Sequence, residues 1–305
     1  MNKIVSFSYL LIFVFQATLF SLPITLRTRR LTKKNEWIIA TETQNINPQK
    51  AAIIICDLWN KHWCKAAAEC TYTLAKSTNN ILEKIRPFGF KIIHAASDST
   101  NYYRNWPQRK AFLTILKDNK SSKYQLPIMA TGTCACGCCV GEAIRSACDC
   151  YTTSETASCS CGCCCTEETA WCALHHPACS LLPKDPSCPC AIEKTKHLGE
   201  NKLIKIKTGD FISENGDEIY NFIKKLEIEY VFILGIHLNL CVWGRSFGIK
   251  PMLNRGIKMV LVRDLTAIFP NPDLLDYLTS EQQTEVFVAW LEKYWCPTIE
   301  SIDLC

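Results

Sequence analysis

Several short stretches of the chain are apolar without any helical or alternating rhythm. KAAIIICDLW (residues 50–59) follows neither a period of two nor one of about 3.6. Such a run suits a strand buried on both faces, as in a parallel sheet. FKIIHAASD (90–98), KLIKIKTGDF (202–211), YVFILGIH (230–237) and GIKMVLVRDLT (256–266) are further strand candidates. Between them lie stretches with apolar residues at helical spacing. AKSTNNILEKIRPFG stops at Pro87 and Gly89, DEIYNFIKKLEIE is amphipathic, a helix is expected from about Leu240, and residues 281–293 form a last one.

Strand and helix in alternation predict an α/β, doubly wound domain, with a parallel sheet and helices on both faces. Ligands of such sheets bind at the carboxyl ends of the strands. Three chemically useful side chains are expected there: Asp57 after the first strand, a lysine of the third, and Cys241 after the fourth. Lys205 and Lys207 stand two positions apart, so on one strand both would share a face.

A thiol at a strand-to-helix turn is suited to nucleophilic chemistry. The positive end of a helix favours a thiolate. This predicts a Cys241 that alkylates below pH 7. A nucleophile also needs a base and a donor or cation for developing charge. Asp57 and one of the lysines fit those needs. The same residues also allow a plain structural reading, with Cys241 a small buried hydrophobe and Asp57 a helix cap.

Residues 129–196 interrupt the rhythm. Of the 21 cysteines, 15 fall between Cys134 and Cys190, in TCACGCCVGE, ACDCYTT, SCSCGCCCTEE and SCPCAIE. The segment is read as a cysteine-rich surface insertion, too poor in periodic apolar residues to pack alone. Disulfide staples, soft-metal thiolate ligation and a degenerate insert all remain open for it. The spacing is not that of a zinc finger.

The first residues add a compartment. MNKIVSFSYLLIFVFQATLFSLP has one lysine and then an uncharged apolar run to Pro23. Residues 1–22 are read as a secretory signal, or as an uncleaved membrane anchor. A cleaved signal places the body outside the cytoplasm, where clustered cysteines oxidise. Residues 23–50 look like an exposed, polar and basic lead-in. The net charge of +5 is scattered, so no nucleic-acid surface is expected.

AAIIICDLWNKHWC, GIHLNLCV and GIKMVLVRDLT resemble the isochorismatase-like cysteine hydrolase superfamily, which includes nicotinamidases. The resemblance covers residues 51–128 and 197–295, with the domain taken to 305. DLWNKHWC, HAASD and GDEIYN are similar to motifs of its exported members. It implies a mostly parallel six-stranded sheet and a triad of Asp57 as base, Lys205 as cation and Cys241 as nucleophile. It also implies a cis peptide at Ile236–His237 and backbone donors at Leu240 and Cys241 for an oxyanion. The implied reaction is hydrolysis of a small amide through a thioester, without a cofactor. Assembly into homo-oligomers is a further implication. The nicotinamidase Asp-x-His metal pattern is missing from HAASDSTNYY, so no metal of that type is expected. Trp59, His62, Trp63, His94, Asp98 and Asn239 are the candidate pocket residues. A catalytically inactive binding protein that presents the cysteine-rich module is the competing function.

Overall fold

The computed structural model describes residues 20–61, 65–117, 199–270 and 274–305. The expectations for residues 1–19, for His62 and Trp63, and for the insertion at 129–196 lie outside them.

An eight-stranded sheet organises the described chain, in the order β2-β1-β8-β7-β6-β3-β4-β5. The strands are β1 (Leu22–Leu31), β2 (Trp37–Ile46), β3 (Ala51–Cys56), β4 (Lys91–Ala95), β5 (Phe211–Ile212), β6 (Tyr230–Ile236), β7 (Met259–Ala267) and β8 (Thr298–Ile299). The helices are α1 (Lys65–Ile85), α2 (Thr100–Tyr103), α3 (Pro107–Lys117), α4 (Gly216–Lys225), α5 (Ile249–Asn254) and α6 (Ser280–Tyr294). From β8 to β5 every neighbouring pair is parallel. β1 and β2 add an antiparallel hairpin at one edge.

The apolar runs explain the centre of the sheet. Every residue of β3 is buried, as are six of the seven in β6. Alternate residues of these strands feed two cores. Ile53, Ile55, Phe232 and Leu234 pack with α1 residues Ala75, Ile81 and Leu82 on one face. Ile54, Cys56, Val231 and Ile233 pack on the other with Phe112 of α3, Phe222 of α4, Met252 of α5 and Leu291 of α6. A strand sandwiched in this way has no polar face to alternate, hence the unbroken apolar sequence.

Three expectations need correction. The sheet has eight strands, because residues 23–50, many of them exposed, are built into the sheet rather than leading up to it. They form most of the β1–β2 hairpin, held by a buried charge cluster. The carboxylate of Glu292 in α6 is fully buried and receives Arg27 Nε at 2.6 Å, Arg29 Nε at 3.0 Å and the Thr298 hydroxyl at 2.6 Å. The basic residues that made this segment look solvent-seeking are therefore its anchors. The third strand is much shorter than residues 202–211 and consists of Phe211–Ile212. Residues ahead of it turn instead, because the Asp210 carboxylate caps the Lys207 amide at 2.8 Å and holds Arg86 at 2.8 Å. The helix expected from Leu240 begins as a π-helical turn, Leu238–Val242.

The strand order reverses direction between β3 and β6. From β3 the chain moves outward to β4 and β5, then returns to β6 on the other side of β3 and continues to β7 and β8. The crevice at such a switch point, beyond the carboxyl ends of the two strands, is where open α/β sheets bind ligands. Asp57 follows β3 directly, and Cys241 follows β6 within one turn.

Candidate active site

The backbone at the end of β3 turns sharply. Asp57 has φ of +53°, a left-handed conformation that is uncommon outside glycine. This turns its carboxylate toward the neighbouring strand ends. Oδ1 accepts the Ser97 amide at 2.6 Å, and the Asp57 amide donates to Ala95 O at 3.3 Å. Trp59 closes the turn by donating from Nε1 to Ser97 O at 3.1 Å. Asp57 is fully buried, and its Oδ2 has no hydrogen-bond partner among the described residues. Burial raises the Asp57 pKa, against the opposing pull of Arg245 and the Ser97 amide.

Across the switch point, β6 ends in a cis peptide between Ile236 and His237. The chain then enters the π-helical turn that carries Cys241. Leu238 and Val242 of that turn are buried and fix it to the core. Cys241 packs against both hydrophobic cores and keeps part of its surface open to solvent. Its thiol lies beside Asp57 and Arg245. Burial raises the Cys241 pKa, the Asp57 charge raises it further, and Arg245 opposes both. The expectation of a ready-made thiolate is thus reversed. Cys241 is the fourth residue of its turn, not the first, so the turn's terminal amides do not offset desolvation and the adjacent carboxylate.

Arg245 is the charged residue that sequence reasoning missed. It follows Cys241 by four positions, one helical turn, and its amide donates to Cys241 O at 3.0 Å. Nε stands 4.0 Å from Asp57 Oδ2. Asp98, with φ of +60°, lies close enough to act on the same guanidinium. The signal was present in CVWGR, because residues four apart on a helix share a face.

Lys205 is not brought to Asp57 and Cys241. Its ammonium donates to Lys202 O at 3.2 Å and its amide to Asn79 Oδ1 at 2.9 Å, on the side of α1. Lys207 pairs with Glu83 of α1. The cause is the turn conformation of 201–210, which removes both lysines from the strand that would have aimed them. Leu240 is not free to face an oxyanion, since its amide donates to His237 O at 3.0 Å. His94 is interior rather than at the pocket mouth, between Glu200 and Asp210. Asn239 is tied at both ends to Phe269, donating to its carbonyl at 3.0 Å and accepting from its amide at 2.8 Å. That contact pins the loop after β7 over the Cys241 turn, where His237 and Phe269 also meet edge to face at 4.9 Å. Trp59 is core, 8% exposed. Trp243, two residues after Cys241, packs with Trp290 and Trp295 against α6.

Among the described residues, Cys56, Cys70, Cys241, Cys296 and Cys305 form no disulfide. No group of three or more described His, Cys, Asp or Glu side chains is placed to hold a metal ion. No described helix is long and apolar enough to cross a membrane.

No protein-family model and no characterised protein matches the sequence. Among solved structures, the chain is similar to an isochorismatase from Pseudomonas putida KT2440, at 10% identity and a TM-score of 0.40, over 85% of this chain and 92% of that one. A likeness this distant carries no argument about activity. The functional weight falls on Asp57, Cys241 and the switch point that brings them together.

Proposed function

We propose that this protein is a cysteine hydrolase of small amide-type substrates, acting through a thioester on Cys241. One observation carries the reading. A buried carboxylate at the switch point leaves an oxygen, Asp57 Oδ2, without a hydrogen-bond partner among the described residues, and a thiol lies against it. A buried carboxylate oxygen served only by a thiol and by a guanidinium 4.0 Å away is costly to keep charged, and is suited to accepting a proton.

In this reading Cys241 Sγ attacks the carbonyl carbon of the substrate, and the thiol proton passes to Asp57 Oδ2. The resting thiol is protonated, so proton transfer accompanies attack rather than preceding it. The tetrahedral oxyanion forms beside the Cys241 amide. The amine leaves with the proton held by Asp57, and a thioester remains. Water then attacks the thioester, again giving its proton to Asp57, and the acid departs as the thiol is restored. Positioned proton transfer of this kind contributes roughly 10²–10⁴ in rate.

Residues 1–22 support an extracytoplasmic location as part of the same proposal. The density of cysteines in 134–190 supports a second reading, in which a scaffold of this shape presents a disulfide-bonded or metal-binding module without turnover. A screen of small primary amides for ammonia release, comparing the wild type with Cys241→Ala, separates the two. Hydrolysis that is lost in the folded variant supports the enzyme. Turnover retained in Cys241→Ala would sink it.

A further inference from the structure

We infer that Arg245, and not a lysine of the 202–207 segment, supplies the positive charge that serves Cys241 and Asp57. The inference rests on the hydrolase reading above and names the cation that reading leaves open.

The geometry is specific to one turn of chain. Arg245 starts one helical turn after the nucleophile, with its amide bonded to the Cys241 carbonyl at 3.0 Å. Its side chain runs back to Asp57, where Nε stands 4.0 Å from the oxygen that lacks a hydrogen bond. The Arg245 side chain is 27% exposed while that of Asp57 is fully buried, so Arg245 stands on the solvent side of the carboxylate. The two lysines are engaged elsewhere, Lys205 with Lys202 O and Lys207 with Glu83.

The chemistry suits a guanidinium. When the Cys241 proton moves to Asp57, one negative charge moves from oxygen to sulfur. The total charge does not change. A cation beside both atoms stabilises the charge before and after the transfer without relocating. A guanidinium has donors on several edges and stays protonated throughout, whereas an ammonium is a single compact charge that deprotonates more readily when desolvated. The groups that face this centre are Asp57 and Cys56 from β3 and its end, Cys241 from the π-helical turn, and Asp98 from the loop after β4. Removing Arg245 takes away the cation that offsets the Asp57 carboxylate beside the thiol.

Alkylation of Cys241 tests this without any substrate. The full-length protein is treated with neutral iodoacetamide and with anionic iodoacetate across a pH series, and the rate is read on the Cys241 peptide by mass spectrometry. Cys241→Ala gives the background. In Arg245→Gln the iodoacetamide rate near neutral pH should fall about tenfold, as the thiol titrates about one unit higher. The iodoacetate-to-iodoacetamide ratio should also fall about tenfold, and Arg245→Lys should restore most of both. If Arg245→Gln does not fold, the wild-type ratio is measured against salt, and it should drop as the local cation is screened. A folded Arg245→Gln with the wild-type pH profile and ratio would overturn the inference, as would a salt-independent ratio below one. Neither result depends on turnover, so the hydrolase reading can fail in the Cys241→Ala screen while this assignment stands, or the reverse.

Discussion

His94 Nδ1 lies 2.5 Å from Glu200 Oε2, in a position where both residues are almost completely buried. The other ring nitrogen of His94 reaches Asp210 at 3.2 Å, and Asp210 in turn holds Arg86. Burial alone would lower the His94 pKa, but the two carboxylates outweigh it and raise it to about 9. The cluster fastens residues 199–210 to β4, beside the switch point. The folded protein keeps a proton that the unfolded chain releases near pH 6.5. Stability from His94 is therefore complete below that pH and is lost as pH rises through about 9. The urea midpoint should decline across this window. His94→Gln should flatten the decline and lower stability by about 3 kcal/mol, because buried Glu200 loses its paired charge while Asp210 keeps only Arg86. An unchanged slope in that variant would remove His94 as its cause.

The close contact between β6 and β3 is equally open to test. Gly235 has φ of +115°, and a Cβ there would stand 1.9 Å from Cys56 O. No rotamer relieves a clash with a backbone carbonyl. Gly235→Ala should cost about 3 kcal/mol or more. It should also displace Asp57, the next residue after Cys56. Denaturant unfolding measures the first effect. A variant of wild-type stability would show that the two strand ends are not packed as described.

Asp57 has two roles that one substitution separates. Its negative charge raises the Cys241 pKa, yet the proposed reaction needs it as the proton acceptor. Asp57→Asn should therefore lower the pH at which Cys241 alkylates while reducing turnover by roughly 10²–10⁴. Alkylation and turnover that fall together would point to a structural role for Asp57.

Much of this fold is visible in the chain because its central strands are buried on both faces. AAIIIC and YVFILGI have no polar side to confuse with a helix, and both are strands within a residue or two of where the apolar runs lie. The hairpin was hidden because RTRR and TETQN look like solvated sequence. Its basic residues reach a buried partner, Glu292, more than 260 positions away, a pairing that no local pattern reveals. KLIKIKTGDF alternates like a strand, but tertiary bonds from Asp210 to Arg86 and His94 impose a turn. Asp57 and Cys241 were legible because strand ends at a switch point are where such sheets place chemistry. The cation was not. Strand order pointed to a lysine of the third strand and the resemblance to Lys205, whereas helical proximity places Arg245 beside Cys241.

Cys56 offers an internal control for the reactivity of Cys241. Its thiol is fully buried, donates to Ile236 O at 3.6 Å, and is pushed well up by burial and by the neighbouring Asp57 and Cys241. Under native conditions it should resist alkylation while Cys241 reacts. Peptide mapping after a short native exposure reads both. Equal labelling would contradict the packing of the β3 end.

Everything proposed for the reaction depends on an acyl group formed on Cys241. Rapid acid quench of the full-length protein with p-nitrophenyl acetate as a generic acyl donor, followed by peptide mass spectrometry, detects it directly. The expected product is an acetyl group on Cys241 that hydroxylamine removes, with no such adduct at that position in Cys241→Ala, whose turnover is lost. Hydrolysis that continues in the variant, with no acyl group ever found on Cys241 in the wild type, would contradict the thioester mechanism.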